Sequence, residues 1–208
     1  MVDTRNSVSD ELLIATGNRG KVEEIQEILA GCNFTITSLR DHWDPKPEIP
    51  ETGDTFLENA FLKAQWVFSR KGIMTLADDS GLEVDFLGGD PGVRSARYAG
   101  EKADDRLNNE KLLKKMELCP EDRRTARFRC VIVCILSWEK SIAVQGTCEG
   151  KIGYEPRGNG GFGYDPLFIP FGYDQTFAEL DAETKNTISH RGKALAKLKE
   201  KLIKSLKK

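Results

Sequence analysis

Two acidic residues and a serine follow an apolar run near the middle of the chain. Asp78, Asp79 and Ser80 come where the predicted strand 73–77 ends, and open α/β sheets commonly expose reactive side chains at the carboxyl ends of strands. Adjacent carboxylates raise one another's pKa unless a positive charge lies close to them, and Mg²⁺ is the simplest such partner. The pattern favours a metal site, and the alternative is that these carboxylates cap a helix or a turn.

A polar turn before the first predicted helix forms a second candidate site. It follows the apolar run 12–15 and opens a helix, so we expect free backbone amides, polar side chains and two cations to converge there. The residues of this turn are Thr16, Gly17, Asn18, Arg19, Gly20 and Lys21. Such a site suits a polyphosphate. The alternative, that Thr16 and Asn18 only cap the helix and Lys21 is solvated, stays open.

Two glycine-rich patterns do not qualify as nucleotide-binding motifs. The turn at 16–21 is not a Walker A loop, because Ala15 stands where its first glycine belongs and Val22 where it needs Ser or Thr. Residues 158–163 fit G-x-G-x-x-G, but Pro166 and a second proline four residues later prevent the helix that a dinucleotide fingerprint must open.

Composition limits the class of protein. The chain has 208 residues, 39% of them hydrophobic and 31% charged, and no linker-like stretch, which predicts a single domain with an N-terminal extension over residues 1–10. The net charge of −2 gives no reason to expect a nucleic-acid polymer as partner. Five spread cysteines, no targeting segment and no apolar run long enough for a bilayer predict a cytoplasmic protein with reduced thiols and no membrane contact.

The spacing of apolar residues predicts alternating strands and helices, and therefore an α/β fold. Predicted strands cover residues 12–15, 34–39, 73–77 and 126–136, with 142–147 returning as a hairpin. Predicted helices cover residues 22–29, 56–70 and 104–116, and a last helix begins near residue 189. Residues 82–87 either continue the third strand or pair with it. Residues 41–50 contain three prolines and are expected to form an irregular loop.

The last predicted helix is rich in lysine. Leu195, Leu198, Leu202 and Leu206 form one apolar stripe along it. This pattern predicts a helix that packs on the core and exposes its lysines to solvent. The less favoured alternative is that the lysines form a surface that binds an anionic partner.

Six short blocks of sequence occur in the order seen in the inosine triphosphate pyrophosphatase family, which the chain resembles from about Leu12 to Leu198. The blocks are residues 16–21, 51–64, 77–82, 95–98, 161–166 and 189–192. The resemblance implies a Mg²⁺-dependent hydrolase that converts inosine, deoxyinosine and xanthosine triphosphates to the monophosphate and pyrophosphate, so that they are not incorporated into DNA and RNA. It also implies an elongated, two-lobed mixed-sheet fold with the active-site cleft between the lobes, and a homodimer.

The resemblance assigns the reacting groups to the acidic residues. Asp79 resembles the general base of the family and, together with Glu51, its metal-binding carboxylates, while Ser80 resembles a substrate contact. The chemistry agrees, because attack on phosphorus needs neutralised phosphate oxygens and an oriented water molecule. Lys21 and Lys185 are the expected complementary charges.

The resemblance also assigns the substrate contacts. Thr16, Asn18 and Lys21 are expected to hold the triphosphate, and Lys185 to bridge its phosphate end and its base end. The purine is assigned to a loop that comprises Phe162, Gly163, Tyr164 and Asp165. Phe162 is expected to stack on the base, and the alternative that it is a core aromatic stays open.

Ser189, His190 and Arg191 resemble the base-reading cluster of the family. A 6-keto purine presents a hydrogen-bond acceptor where adenine presents a donor. Donors that point outward from this cluster would therefore pair with the keto oxygen and would be left unpaired by ATP. No residue in the sequence accounts for the exclusion of GTP, which shares the keto group. The alternative for His190 and Arg191 is hydrogen bonding within the start of the helix.

Two other functions compete with this interpretation. A pyrophosphatase of similar fold could act on modified pyrimidine nucleotides, but the Ser-His-Arg cluster and the loop 161–166 favour a purine. A nucleotide sensor could bind a triphosphate without hydrolysis, but a sensor has no need of a carboxylate that orients water.

Overall fold

Six strands form one mixed sheet. The computed structural model describes residues 11–101 and 104–206, so the predicted extension at 1–10 lies outside the described residues. The strands are β1 (Glu11–Ile14), β2 (Thr35–Ser38), β3 (Met74–Val84), β4 (Thr125–Ser137), β5 (Lys140–Ile152) and β6 (Phe168–Pro170). Their order is β2-β1-β3-β4-β5-β6, in which the first three are parallel and the later neighbours antiparallel. The predicted mixed α/β fold is confirmed.

Six α-helices accompany this sheet in the described residues. They are α1 (Arg19–Leu29), α2 (Leu39–His42), α3 (Phe56–Lys71), α4 (Asp105–Lys115), α5 (Ala182–Ile188) and α6 (His190–Leu206). Polar side chains fix where they begin: Thr55 and Glu58 form a capping box on α3, and the Ser189 hydroxyl accepts from the Gly192 amide at the start of α6. The predicted long helices are confirmed. The short helices α2 and α5 are not predicted, because neither is long enough to show an apolar period.

The apolar core is divided into three clusters along the sheet. One cluster joins α1 and α6 to one face of β1, β3 and β4, and a second joins α3 to the opposite face. The third lies at the other end of β3, β4 and β5, where it includes α4 and the aromatic residues Phe128, Phe168 and Phe177. The two predicted lobes therefore correspond to the two ends of one sheet.

Strand β3 differs from the prediction in a way that matters for the site. It runs without interruption through Asp78, Asp79 and Ser80, which therefore lie in the middle of a strand and not at its end. The parallel partner β1 pairs with β3 only as far as Leu76, whereas β4 continues the antiparallel ladder beyond it. The acidic pair thus follows the end of β1, and the long partner β4 is the reason that β3 continues.

Lysines of α6 contact the sheet and are not simply solvated. Lys193, Lys197 and Lys201 lie four residues apart and donate to the backbone carbonyls of residues 147, 145 and 143 of β5, at 3.1, 2.8 and 3.2 Å. Long side chains of one helix face thus reach over one edge of the sheet.

The described part of the chain contains neither a candidate membrane-spanning helix nor a disulfide bond. No helix of this part combines the length and the apolar character that a membrane span requires. All five cysteines are free thiols, as predicted.

His190 is part of the third core cluster. Its ring stacks on Phe128 with ring centroids 4.7 Å apart and an interplanar angle of 9°. Burial, followed by the charges of Arg191 and Lys185, holds the pKa of the His190 imidazole well below its ordinary value of 6.5. The folded protein therefore favours the neutral ring.

We expect the free energy of unfolding to decrease as the pH falls below about 6.5, because the unfolded chain then binds a proton on His190 that the folded protein does not bind until a lower pH. One such group contributes about 1.4 kcal/mol per pH unit. Urea unfolding of His190→Phe, which keeps an aromatic ring beside Phe128, should lose this slope. The control His42→Gln should keep it, and an unchanged slope in His190→Phe would contradict the expectation.

Candidate active site

Strand geometry separates the two adjacent carboxylates. Successive side chains of a strand point to opposite faces of the sheet, so Asp78 lies on the face covered by α1 and α6 and Asp79 on the face covered by α3. Both are buried. Each therefore needs its own positive partner, and no single ion has to lie between them.

Lys63 of α3 is the direct partner of Asp79. Its ammonium lies 3.1 Å from Asp79 Oδ1 and 2.6 Å from Glu51 Oε1, and its side chain is only 5% exposed. Arg97 Nη1 approaches the other Glu51 oxygen at 3.5 Å. The predicted pair of Glu51 and Asp79 is thus brought together by a lysine that the sequence interpretation did not assign. Its position on the buried face of an amphipathic helix is a signal that could have identified it.

The proton affinities in this group differ. Burial raises the pKa of the Asp79 carboxyl even though Lys63 and Lys21 act to lower it. Burial also acts to raise the pKa of Glu51, but the charge of Lys63 outweighs it and holds that pKa below its ordinary value. Burial thus outweighs the nearby cations at Asp79, whereas the cations outweigh burial at Glu51.

Glu51 and Asp79 fit the requirements of a magnesium site. Asp79 Oδ2 is buried and has no hydrogen-bond partner among the described residues, so one carboxylate oxygen is not engaged. Among the described residues, no group of three or more Asp, Glu, His or Cys side chains is arranged to hold a metal ion. Mg²⁺ commonly binds through one or two carboxylates, with water and substrate phosphates as its other ligands. Two carboxylates are therefore sufficient.

Asp78 is held by two cations on the other face. Lys21 Nζ lies 3.1 Å from Asp78 Oδ1, and Arg191 Nη2 lies 3.0 Å from Asp78 Oδ2. Burial acts to raise the pKa of Asp78, but the charges of Lys21 and Arg191 outweigh it and keep that pKa well below its ordinary value. The folded protein therefore favours the ionised form of Asp78.

The expectation that Lys185 neutralises the acidic pair is wrong. Lys185 Nζ lies 2.7 Å from Asp165 Oδ2 and 2.6 Å from Glu24 Oε1. Glu24, from α1, also forms an ion pair with Arg191. Lys63 and Arg191 take the place predicted for Lys185, because α3 and α6 bring them to opposite faces of β3.

These ion pairs form a continuous series of alternating charges. The series runs Asp78, Arg191, Glu24, Lys185, Asp165 and joins β3 to the glycine-rich loop 158–163 and its neighbour Asp165. Glu24 is its central member and is not predicted from the sequence, because a glutamate in the first turns of a helix is usually solvated.

Phe162 lies between the polar turn and the cations. Its ring is half-buried, with Lys185 Nζ 5.1 Å and the Arg191 guanidinium carbon 5.6 Å from its centroid. A Cβ atom on Gly20 would come within 2.5 Å of this ring, so only glycine allows the approach. The Phe162 amide donates to Asp165 Oδ2 at 2.8 Å, which fixes the loop.

The polar turn at 16–21 holds most of its predicted residues at the site, with one exception. Asn18 caps α1 by accepting from the Lys21 amide at 3.1 Å, and Thr16 is buried beside it. Arg19 does not converge with Lys21. Its side chain is exposed and pairs with Glu23 one turn along the helix, because residue 19 lies on the outer face of α1.

The base-reading cluster is more buried than predicted. Ser189 caps α6, His190 stacks in the core, and Arg191 donates to Ser80 Oγ at 2.9 Å as well as to Asp78. The three side chains therefore do not point outward together. Tyr164 is likewise a core residue, with its hydroxyl donating to the Ser95 carbonyl at 2.9 Å.

Gly163 connects the loop 161–166 to α4. Its amide donates to Asp105 at 2.7 Å, and its carbonyl accepts from the Asn109 side chain at 3.0 Å. The loop is therefore held from both sides, by α4 and by the charged series.

Comparison with known proteins identifies the family of the chain. Residues 12–201 match the model of the Ham1 family. The chain is 52% identical over 190 residues to a dITP/XTP pyrophosphatase of Desulforamulus reducens, covering 91% of this chain and 94% of that protein. It is 49% identical over 195 residues to the dITP/XTP pyrophosphatase of Bacillus subtilis, covering 94% and 98%.

Solved structures give the same result. A HAM1 protein from Coxiella burnetii is similar with a TM-score of 0.83 at 40% identity, over 93% of this chain and 98% of that one. The Ham1 protein of Staphylococcus aureus is similar with a TM-score of 0.81 at 38% identity, over 94% and 99%. The family predicted from the sequence motifs is confirmed, and the chain belongs to the Ham1 family.

Proposed function

We propose that this protein is a Mg²⁺-dependent pyrophosphohydrolase of inosine, deoxyinosine and xanthosine triphosphates. The relatives named dITP/XTP pyrophosphatase support the substrates and the reaction. The observation that carries the proposal is the group formed by Glu51, Lys63 and Asp79, which lies beside the polar turn at 16–21. Removal of such nucleotides would keep them out of DNA and RNA.

The reaction requires a base and neutralised phosphate oxygens. Asp79, whose buried carboxylate lies in the group with Glu51 and Lys63, would accept the proton of the water that attacks the α-phosphorus. Glu51 and Asp79 would hold Mg²⁺, which supplies charge neutralisation to the phosphates when bound. Lys63 and Lys21 would orient the carboxylates, and pyrophosphate would leave.

The base end is proposed to lie at Phe162. This ring is half-buried and flanked by Lys185 and Arg191, so a purine could stack on it beside two cations. Because Arg191 is held by Asp78, Ser80 and Glu24, selection for the 6-keto group would come from a positioned and not a mobile donor. Ser189 and His190 would support that position from the start of α6.

One assay separates this proposal from its competitors. The protein is incubated with Mg²⁺ and inosine, uridine or adenosine triphosphate, and the released anion is identified. We expect pyrophosphate, released fastest from inosine triphosphate. Release of orthophosphate, or equal turnover of adenosine triphosphate, would contradict the proposal. Preference for uridine triphosphate would favour a pyrimidine enzyme, and binding without turnover a sensor.

Asp79→Asn should lower kcat by about 10²- to 10⁴-fold, because the amide cannot accept the proton of the attacking water. The affinity for inosine triphosphate should change much less, since the other contacts remain. Steady-state kinetics and nucleotide titration measure the two effects. Asp85→Asn, in an exposed residue just beyond β3, serves as the control and should behave as the unsubstituted protein. Near-normal kcat in Asp79→Asn would remove Asp79 from its role.

Glu24→Gln should destabilise the protein by about 3 kcal/mol, because it leaves Lys185 and Arg191 buried without their shared anion. It should also raise KM for inosine triphosphate, since both cations flank Phe162. The neighbouring exposed residue gives a matched control: Glu23→Gln should change the free energy of unfolding by less than about 1 kcal/mol. Equal effects of the two substitutions in thermal unfolding and kinetics would contradict the role of Glu24.

We further propose a homodimer that functions in the cytoplasm. Three large apolar side chains of α3, Leu57, Phe61 and Leu62, are exposed by 37 to 50%, which supports contact with a second copy. Free buried thiols support a reducing compartment. Light scattering should give twice the chain mass of 23.3 kDa, and Phe61→Ser should weaken the association. A monomeric mass for the unsubstituted protein would contradict the dimer.

A further inference from the structure

A cavity of about 540 Å³ lies beside Glu51 and Lys63 of the proposed reacting group. Thr16 and Gly17 of the polar turn also line this cavity, and so does Lys46. Lys46 belongs to the loop between α2 and α3 that also carries Glu51, but neither the sequence motifs nor the proposed reaction assigns a role to Lys46 itself.

Lys46 lies directly against the polar turn. Its ammonium is 3.4 Å from the Gly17 carbonyl oxygen. A Cβ atom on Gly17 would come within 2.3 Å of Lys46 Nζ and 3.1 Å of its Cε, so the side chain covers the glycine. The contact fixes the direction of an otherwise mobile lysine over the cavity.

Lys46 differs from the other basic groups of the cavity in its partners. Lys63 is paired with Glu51 and Asp79, and Arg97 contacts Glu51 and Glu101. Glu48 also lines the cavity, but no carboxylate of the described residues lies within 4.0 Å of the Lys46 ammonium. Its charge is therefore available to an anionic ligand.

The two ends of the polar turn contact different residues, and this difference indicates which anionic group would lie near Lys46. Phe162, the proposed base contact, touches the turn at Gly20, whereas Lys46 touches it at Gly17. The reacting group at Glu51 and Lys63 lines the same cavity as Lys46. A triphosphate whose base lies at Phe162 would therefore extend its outer phosphates toward Lys46.

We propose that Lys46 binds the outer phosphates of the substrate, which leave as pyrophosphate. This inference rests on the proposed function and adds a binding residue to it. The ligand class is an inorganic or nucleotide-bound diphosphate group, and the contact is a charge-assisted hydrogen bond from the ammonium to a phosphate oxygen.

The test measures binding of pyrophosphate and of inosine monophosphate by titration calorimetry with Mg²⁺ present. Lys46→Met should weaken pyrophosphate binding by about three- to tenfold and leave inosine monophosphate binding unchanged. Lys46→Arg, which keeps the charge, should restore most of the affinity.

Lys201→Met is the matched control, because Lys201 is also an exposed lysine that donates to a backbone carbonyl, 3.2 Å away in β5. It should bind pyrophosphate as the unsubstituted protein does. Equal pyrophosphate affinity of Lys46→Met and Lys201→Met, or no pyrophosphate binding by the unsubstituted protein, would overturn the inference. Failure of the proposed function would instead be seen as absence of inosine triphosphate turnover by the unsubstituted protein, which is measured separately.

Discussion

The alternation of side chains along β3 is the constraint on which the site depends. Two carboxylates that are adjacent in sequence are buried on opposite faces of the sheet, so neither has to ionise against the other at close range. The two faces also give the two carboxyls different proton affinities. Asp78 is fixed as an anion by Lys21 and Arg191, while Asp79 keeps a raised pKa and is suited to exchange a proton.

The charged series links this strand to the rest of the fold. Four of its five members are buried and Glu24 is partly buried, and a buried ion is costly unless it is paired with good geometry. Asp78 comes from β3, Glu24 from α1, Lys185 from α5 and Arg191 from α6. The pairs can form only when all four elements are in place, so the geometry of the site and the completeness of the fold depend on each other.

The sequence was sufficient to predict the long elements and the order of the motifs, because apolar periods and capping residues are local signals. It was insufficient for β3, whose continuation depends on the distant partner β4, and for the partners of Asp79 and Lys185. Lys63 and Glu24 reach the site through the packing of α3 and α1. The helical period can place Lys63 on the buried face of α3, but it does not identify the charged partners that either residue meets at the site. The outward orientation predicted for His190 also failed, because the ring found a partner in Phe128.

The lysines of α6 have a consequence for the outer edge of the sheet. Strand β6 pairs only with residues 150–152 of β5. The part of β5 before residue 150 is paired with β4 on one side and has no described strand on its other side. Unpaired edges of this kind are templates on which other chains can add a strand. Here Lys193, Lys197 and Lys201 already occupy the carbonyls that an incoming strand would need. The helix that carries Arg191 thus also leaves fewer carbonyls on this edge free to pair with the strand of another chain.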